Sequence, residues 1–435
     1  MTAVKNNSND YVIRVLDTAL AVEAAAWNGL LSKQEAPTPF MRHEYLAALE
    51  SSGSASPATG WTARFITLWR DDELHAACAL YLKDHSYGEY VFDWAWANAY
   101  AEHGLAYYPK ALTAVPFTPV PGTRLLARDG DARRVLVDAI LAWCRQQSLS
   151  SFHLLFAAPD DVAACEAAGM MLRHTVQFHW MNSSAPTLGT HASSLPPEGA
   201  RFALGEPGGE TTATAPWTRF EDFLASLAQE KRKKIRQERR KVTEAGVVFR
   251  WSRGLDISGN DWDFFYRCYE RTYYEHGNAP YLTREFFHHM AADMPDNWLL
   301  FVAERAGQPI AASLIALDSV EPGAHGPATG ITRQNAAYGR YWGALERVDC
   351  LHFEACYYQP LQWCIEHGFG RFEGGAQGEH KMARALMPVK TTSCHWLAHP
   401  AFADAVERFL DKEGRGIENY LEHLDERSPF RRVQP

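Results

Sequence analysis

The sequence predicts a mixed α/β chain made of one domain used twice, and three matched segments carry that prediction. "PFMRHEYLAAL" at residues 39–49 pairs with "PYLTREFFHHM" at 280–290, an offset of 241. "DELHAACALYL" at 72–82 pairs with "GQPIAASLIAL" at 307–317, an offset of 235. "AWCRQQSLSSFH" at 142–153 pairs with "QWCIEHGFGRFE" at 362–373, an offset of 220. Three matches in one order, with slowly falling offsets, argue for duplication of a unit ordered helix, β-hairpin, helix, strand.

Each element has a local reason. The first pair places Pro-aromatic before Glu and then apolar residues at helical spacing. The second is a turn followed by a small, apolar run, as the second arm of a hairpin requires. The third is a helix end, a tight connection and a short strand, so Trp143 should overlie Trp363 and Phe152 should overlie Phe372. Of the 34 residues 183–216, 19 are Gly, Pro, Ser or Thr, and apolar periodicity vanishes there. The expected organisation is therefore a first domain over 10–182, a low-complexity linker or insertion over 183–216, and a second domain over 217–427.

With 435 residues, 46% of them apolar, the chain can bury real cores without disulfide staples. No stretch approaches the roughly 18 uninterrupted apolar residues of a membrane helix, and no signal peptide is visible at the N-terminus. The eight cysteines include no CxxC pair, which suits reduced thiols in the cytoplasm better than a zinc site. No metal and no tightly bound cofactor is expected. The net charge of −9 conceals "KRKKIRQERRK" at 231–241, a local +7 that leaves −16 on the rest. An acidic body with one basic segment can attract an anion locally, but it is no general nucleic-acid coat.

Three stretches could carry chemistry. Eight of the 26 residues 85–110 are aromatic, and they interleave with His85, Glu89, Asp93, Glu102 and Lys110. Carboxylates set among Trp94 and Trp96 suit a cleft lining better than a plain core, where an unpartnered carboxylate is costly. The basic run follows a helical stripe of Phe220, Phe223, Leu224 and Leu227, so one long amphipathic helix is expected. Its Arg232, Lys233, Arg236 and Arg240 would meet phosphates. The third stretch, 371–396, runs through Gly374 and Gly375 into Glu379, His380, Lys381 and Arg384, and on to His395. Glu379 or His380 could serve as a base and Lys381 as a transition-state clamp, with Arg384 as a further anion contact. No GxSxG elbow, P-loop or strand-linked GxGxxG is present.

The motifs "YLKDHSYGEYVFDWAWANAY", "KRKKIRQERRKV", "YGRYWGA", "HFEACYYQP" and "GGAQGEHKMAR" followed by "HW" closely resemble those of the bacterial FemAB-like proteins, over nearly the whole chain. The resemblance implies two GNAT-like acyltransferase domains in tandem. It also implies transfer of an acyl or aminoacyl group, from aminoacyl-tRNA or acyl-CoA as co-substrate, to an amine such as that of a peptidoglycan precursor. The basic helix would contact tRNA. Two other readings stand beside it: an acetyl-CoA-dependent acetyltransferase for small molecules, and a non-catalytic module that recognises cell-wall precursors or RNA. Tyr338, Arg340 and Tyr341 fall in the shared motifs and, with Glu373 from the stretch 371–396, join His85, Glu89, Asp93, Trp94, Trp96, Glu102 and His395 as substrate-binding candidates. The reaction centre is expected where the aromatic stretch of the first half meets residues 374–395 of the second.

Overall fold

A computed structural model describes residues 4–5, 11–183, 215–319, 334–375 and 378–431. The first half contains helices α1 (Ala24–Leu31), α2 (His43–Ser51), α3 (Trp94–Glu102), α4 (Gly130–Gln146) and α5 (Pro159–Ala167). Its strands are β1 (Val4–Lys5), β2 (Val12–Leu16), β3 (Trp61–Ala63), β4 (Phe65–Arg70), β5 (Glu73–Cys78), β6 (Leu80–Lys83), β7 (Lys110–Thr113), β8 (Leu126–Ala127), β9 (Ser151–Leu154) and β10 (Met171–Met181). The second half contains α6 (Phe220–Ser226), α7 (Gln229–Glu244), α8 (Gly259–Glu275), α9 (Arg284–Asp293), α10 (Leu351–Phe353), α11 (Gln359–Glu366) and α12 (Pro400–Glu426). Its strands are β11 (Val247–Arg253), β12 (Trp298–Arg305), β13 (Gln308–Asp318), β14 (Ala336–Ala344), β15 (Arg371–Glu373) and β16 (Met387–Leu397).

Local chemistry sets these elements. The Asp129 carboxylate accepts from the Ala132 N–H at 2.8 Å and starts α4, whose Leu136, Val137, Ile140 and Cys144 form the buried stripe. Ser258 caps α8 and Thr283 caps α9 in the same way. The Ala306–Gly307 turn, with φ of 51° and 73°, closes the β12–β13 hairpin. The equivalent hairpin of the first half, β4–β5, turns on Asp71 and Asp72. There the second arm breaks at Ala79. β5 stays in a five-stranded sheet (β1-β2-β4-β5-β8), and β6 enters an eleven-stranded sheet ordered β11-β12-β13-β14-β15-β10-β16-β9-β7-β6-β3.

The large sheet displays the duplication. β7 runs parallel to β9 with Ala111 opposite Phe152, and β14 runs parallel to β15 with Ala337 opposite Phe372. α4, carrying Trp143, and α11, carrying Trp363, precede β9 and β15 at the same spacing, so both expected pairs occupy equivalent positions. Each half then gives its last strand to the other. β10 lies against β15, β16 lies against β9, and β10 and β16 pair antiparallel at the centre. The approximate two-fold passes through Thr175 and Thr391, which face each other in register with hydroxyl oxygens 2.7 Å apart.

The halves also share a core. α2 packs on α9, the Tyr45 ring meets Phe286 edge-on at 5.3 Å, and Phe40 meets Tyr338 at 5.2 Å. Separating them would expose these side chains at about 1.5–3 kcal/mol each, so the two halves form one cooperative body.

The sequence expectation needs one correction here. The basic segment is not one continuous helix from residue 220, because Leu227 and Ala228 are extended between α6 and α7. The C-terminal tail takes their backbone groups, with Ala228 N–H donating to Pro429 O at 2.9 Å and Arg431 Nε–H to Leu227 O at 3.2 Å. The expected linker lies almost wholly outside the described residues.

Candidate functional site

Parallel pairing of β14 with β15 lasts only from Ala336–Tyr338 against Arg371–Glu373. β15 then ends in Gly374-Gly375, while β14 continues to Ala344 with no strand of the described residues beside it on that side. The two strands therefore open into a gap. β14 is also irregular there: Leu314 faces Tyr341 and Ile315 faces Gly339, so Arg340 is the extra residue of a bulge. Bulges re-aim side chains and leave ladder groups free, and they concentrate beside active sites. A Cβ on Gly374 would lie 2.4 Å from Leu386. Gly375 has φ of 87°, and a Cβ there would meet only Gly339 O and Lys381 Nζ, both at 3.8 Å.

The 3₁₀ turn Glu379–Arg384 brings Lys381 to this gap. Lys381 is 4% exposed, and its ammonium donates to Gly375 O at 2.8 Å. Burial, reinforced by the Arg340 charge, lowers its pKa to about 8. Two histidines lie close by. Burial and the Arg384 and Lys381 charges hold His380 below its ordinary value, and its Nε2 is 3.4 Å from the Tyr357 hydroxyl. Burial and the same group of cations push His352 down to about 4. A cationic, partly desolvated cluster with neutral imidazoles thus borders the strand gap.

Tyr90, Tyr269, Tyr273, Tyr281 and Tyr341, together with Arg340 and Trp342, wall an adjoining cavity of about 360 Å³. Arg340 Nη2 donates to Phe117 O at 3.0 Å, and Phe117 stacks on Tyr281 at 4.8 Å. The Tyr45 and Tyr341 hydroxyls are 3.3 Å apart across the two halves.

Several expected assignments change. Glu379 lies at the surface, where the Tyr420 hydroxyl (2.7 Å) and Arg427 (2.9 Å) engage its carboxylate and lower its pKa, which makes it a poor base. Arg384 is 2% exposed, donates to both Glu238 carboxylate oxygens and covers the Phe353 ring at 3.5 Å. It is a core ion pair that anchors α7, with no charge left for an external anion. On α7, Arg236 pairs with Glu221 at 2.6 Å and Arg240 with Glu244 at 3.5 Å. Arg232 and Lys233 make no ion pair among the described residues and carry the open part of the basic face.

The single shared cleft is not formed. Asp93 and Glu89 are buried on the fully buried Lys110, whose ammonium donates to Glu89 at 2.8 Å, to Ser86 at 2.8 Å and to Asp93. Lys110 and His153 hold the Asp93 carboxyl well below its usual range, whereas burial lifts Glu89 to about 7. Asp93 also accepts from the Tyr107 hydroxyl, which reaches His153. His153 in turn meets His395 at 2.7 Å, with Trp96 packed edge-on against His395. This network sits at the His395 end of β16, whereas Lys381 sits near Met387. Eight residues at about 3.3 Å separate them by roughly 26 Å. Trp94 and Glu102 are exposed on α3, and His85 lies at its own loop beside Lys83. Glu373 is buried between Arg371 (3.2 Å) and His179 (3.7 Å), and the Tyr338 hydroxyl accepts from Arg371.

The structure does join Arg340, Tyr341, His380 and Lys381, and it adds His352, Tyr357 and the tyrosines of α8. Tyr269 and Tyr273, four residues apart in "CYERTYY", were the legible signal for that wall. Among the described residues no group of three or more His, Cys, Asp or Glu could hold a metal, and no helix is long and apolar enough to cross a membrane.

Solved structures similar to the chain include FemX, at 9% identity and TM-score 0.49, covering 89% of this chain and 98% of that one. L-PGS from Bacillus licheniformis is similar at 9% identity and TM-score 0.45, covering 87% and 98%. A tandem GNAT protein from the clavulanic acid biosynthesis pathway is similar at 11% identity and TM-score 0.41, covering 90% and 99%. The profile of one family, described as peptidoglycan biosynthesis/recognition, matches residues 18–195 and 213–432. Since that match spans both halves, the chain belongs to the FemAB-like family.

Proposed function

We propose that the chain is an N-acyltransferase of peptidoglycan metabolism whose transfer site is the gap between β14 and β15. The observation that carries this reading is Lys381, a nearly buried ammonium tied to Gly375 at the end of β15 and facing the β14 bulge. In acyl transfer the donor is already activated, so the protein aligns the amine, removes its proton and stabilises the oxyanion. The amine lone pair forms the new C–N bond, and the acyl–carrier bond breaks. The carrier's oxygen or sulfur leaves with that electron pair. His380, kept neutral by its surroundings, takes the ammonium proton, and Lys381 supports the developing oxyanion or a carrier phosphate.

The donor is an aminoacyl-tRNA in this reading. The exposed cations of α7 run from Lys233 to Lys241, about 12 Å at 1.5 Å per residue, which is more than one pyrophosphate needs. Through Arg384–Glu238 and Arg239–Glu354, α7 is anchored beside the Lys381 turn. Such a donor places the reaction in the cytoplasm, with a peptidoglycan precursor as acceptor. The test supplies the full chain with charged tRNA or acetyl-CoA and a UDP-linked peptidoglycan precursor, and follows the acyl group by mass. Transfer from charged tRNA, lost on Lys381→Ala, is expected. Transfer from acetyl-CoA alone would establish the small-molecule acetyltransferase reading, and binding without transfer would establish a recognition module.

A further inference from the structure

The tyrosine-walled cavity holds one guanidinium and no carboxylate. Its lining residues include Arg340, His276 and Asn278 but neither Asp nor Glu. Among the described residues Arg340 donates once, to Phe117 O, and its Nε is buried without a partner. A half-buried cation with spare donors and no carboxylate among its neighbours is electrostatically incomplete and favours an anion. The rings around it offer flat apolar walls, and their faces attract a cation. The volume of about 360 Å³ falls at the small end of the roughly 300–1,000 Å³ typical of ligand sites. Finally, Arg340 is the bulge residue at the strand gap, close enough for its charge to lower the Lys381 pKa.

We infer that this cavity is a carboxylate-reading subsite for the acceptor, which is an amine that also carries a carboxylate on an apolar body of about one amino-acid residue. The carboxylate pairs with Arg340, the body lies between Tyr90, Tyr273 and Tyr281, and the amine points along β14 to the gap. A carboxylate suits the site better than a phosphate, because a single guanidinium among neutral phenols balances one negative charge and not two. The word acceptor rests on the reading of the gap as the transfer site. The recognition of the carboxylate does not.

Calorimetry on the full chain with L-phenylalanine, L-phenylalaninamide and phenyl phosphate tests the inference without any donor. The acid is expected to bind about tenfold or more tighter than the amide, the scale of one charge-assisted hydrogen bond, and Arg340→Gln should erase that preference. Tyr281→Leu should weaken both ligands while keeping the acid preference. The acid–amide comparison needs no variant, so it stands if Arg340→Gln fails to fold. Equal affinities, tighter binding of phenyl phosphate, or no binding of any ligand at millimolar concentration overturns the inference. An acid preference in a chain that transfers nothing would retain this subsite and remove the proposed reaction. Transfer without the preference would do the reverse.

Discussion

Lys381→Met should make the protein more stable and less active together. Burial and Arg340 move the Lys381 pKa from its ordinary 10.5 to about 8, which corresponds to roughly 3 kcal/mol against the folded, charged state. The hydrogen bond to Gly375 O returns about 1 kcal/mol, so removing the ammonium at pH 7 should yield a net gain of about 2 kcal/mol. For one cooperative body of this size, at about 2.1 cal/mol/K of unfolding entropy per residue, each kcal/mol is worth about 1 °C, so the melting temperature should rise by about 2 °C. The sign of the pH dependence is fixed. Between pH 8 and 10.5 the unfolded chain holds this proton and the folded chain does not, so wild-type stability rises with pH through that window. The advantage of Lys381→Met should therefore be full below pH 8, shrink between pH 8 and 10.5, and turn above that into a deficit of about 1 kcal/mol from the lost hydrogen bond. Melting curves of both proteins across that range, beside single-turnover transfer rates, check the argument. The rate should fall by about a hundredfold or more. A variant that melts lower at pH 7, or whose advantage ignores pH, would show that the ammonium is not held at a cost, and the functional case for it would go.

Arg384→Met alone should lose about 3–5 kcal/mol by leaving Glu238 charged and unpaired, whereas the double change with Glu238→Gln should recover much of it; denaturant midpoints measure both. Gly343→Ala should cost about 3 kcal/mol or more, since its Cβ would stand 1.9 Å from Cys268 O where α8 crosses β14. Gly375→Ala, in open space but at positive φ, should cost only about 1 kcal/mol while slowing transfer. Changing Arg232, Lys233, Arg236 and Arg240 to Gln should weaken tRNA binding and flatten its salt dependence. The change in log–log slope should be about two rather than four, because Arg236 and Arg240 already have carboxylate partners. Filter binding at several salt concentrations reads that slope.

Duplication was legible because it is written in local pattern. Pro-aromatic helix starts, hairpin arms and the Trp-to-Phe spacing survive at fixed offsets, and each is determined within about a dozen residues. The strand exchange was less visible, although "HW" at 179–180 and again at 395–396, an offset of 216, marks the two exchanged strands. What could not be read was the direction in which charged side chains point. Glu379, His380 and Lys381 are adjacent in sequence, yet a 3₁₀ turn sends Glu379 out to Arg427 and Lys381 in to Gly375. Asp93 and Glu89 gave a true signal, since carboxylates among tryptophans do need partners. The partner is Lys110 from the same stretch, so the signal marked an internal network and not a cleft. The tyrosine cavity draws on residues 90, 269–273, 281 and 340–342, which no window along the chain brings together.

The approximate two-fold also relates the gap to a counterpart that is filled among the described residues. At the offset of 220 that relates β9 to β15 and the start of α5 to the turn at Glu379, Gly374 and Gly375 correspond to Leu154 and Leu155, and Lys381 corresponds to Asp161. In the first half the two leucines are buried. Leu155 N–H donates to Thr113 O, and so continues the contact that the second half breaks. Beyond Thr113 the chain reaches Pro116, which cannot extend the strand as Arg340–Trp342 extend β14. The fully buried Asp161 accepts from the backbone N–H groups of Arg124 (2.6 Å) and Leu125 (3.2 Å), so at the position of Lys381 the first half binds its own chain. Glycine against leucine and lysine against aspartate thus separate an open copy from a plugged one. The plugged half contributes Tyr90, Phe117 and Tyr45 to the open one, which makes it a wall of the proposed site rather than a second centre.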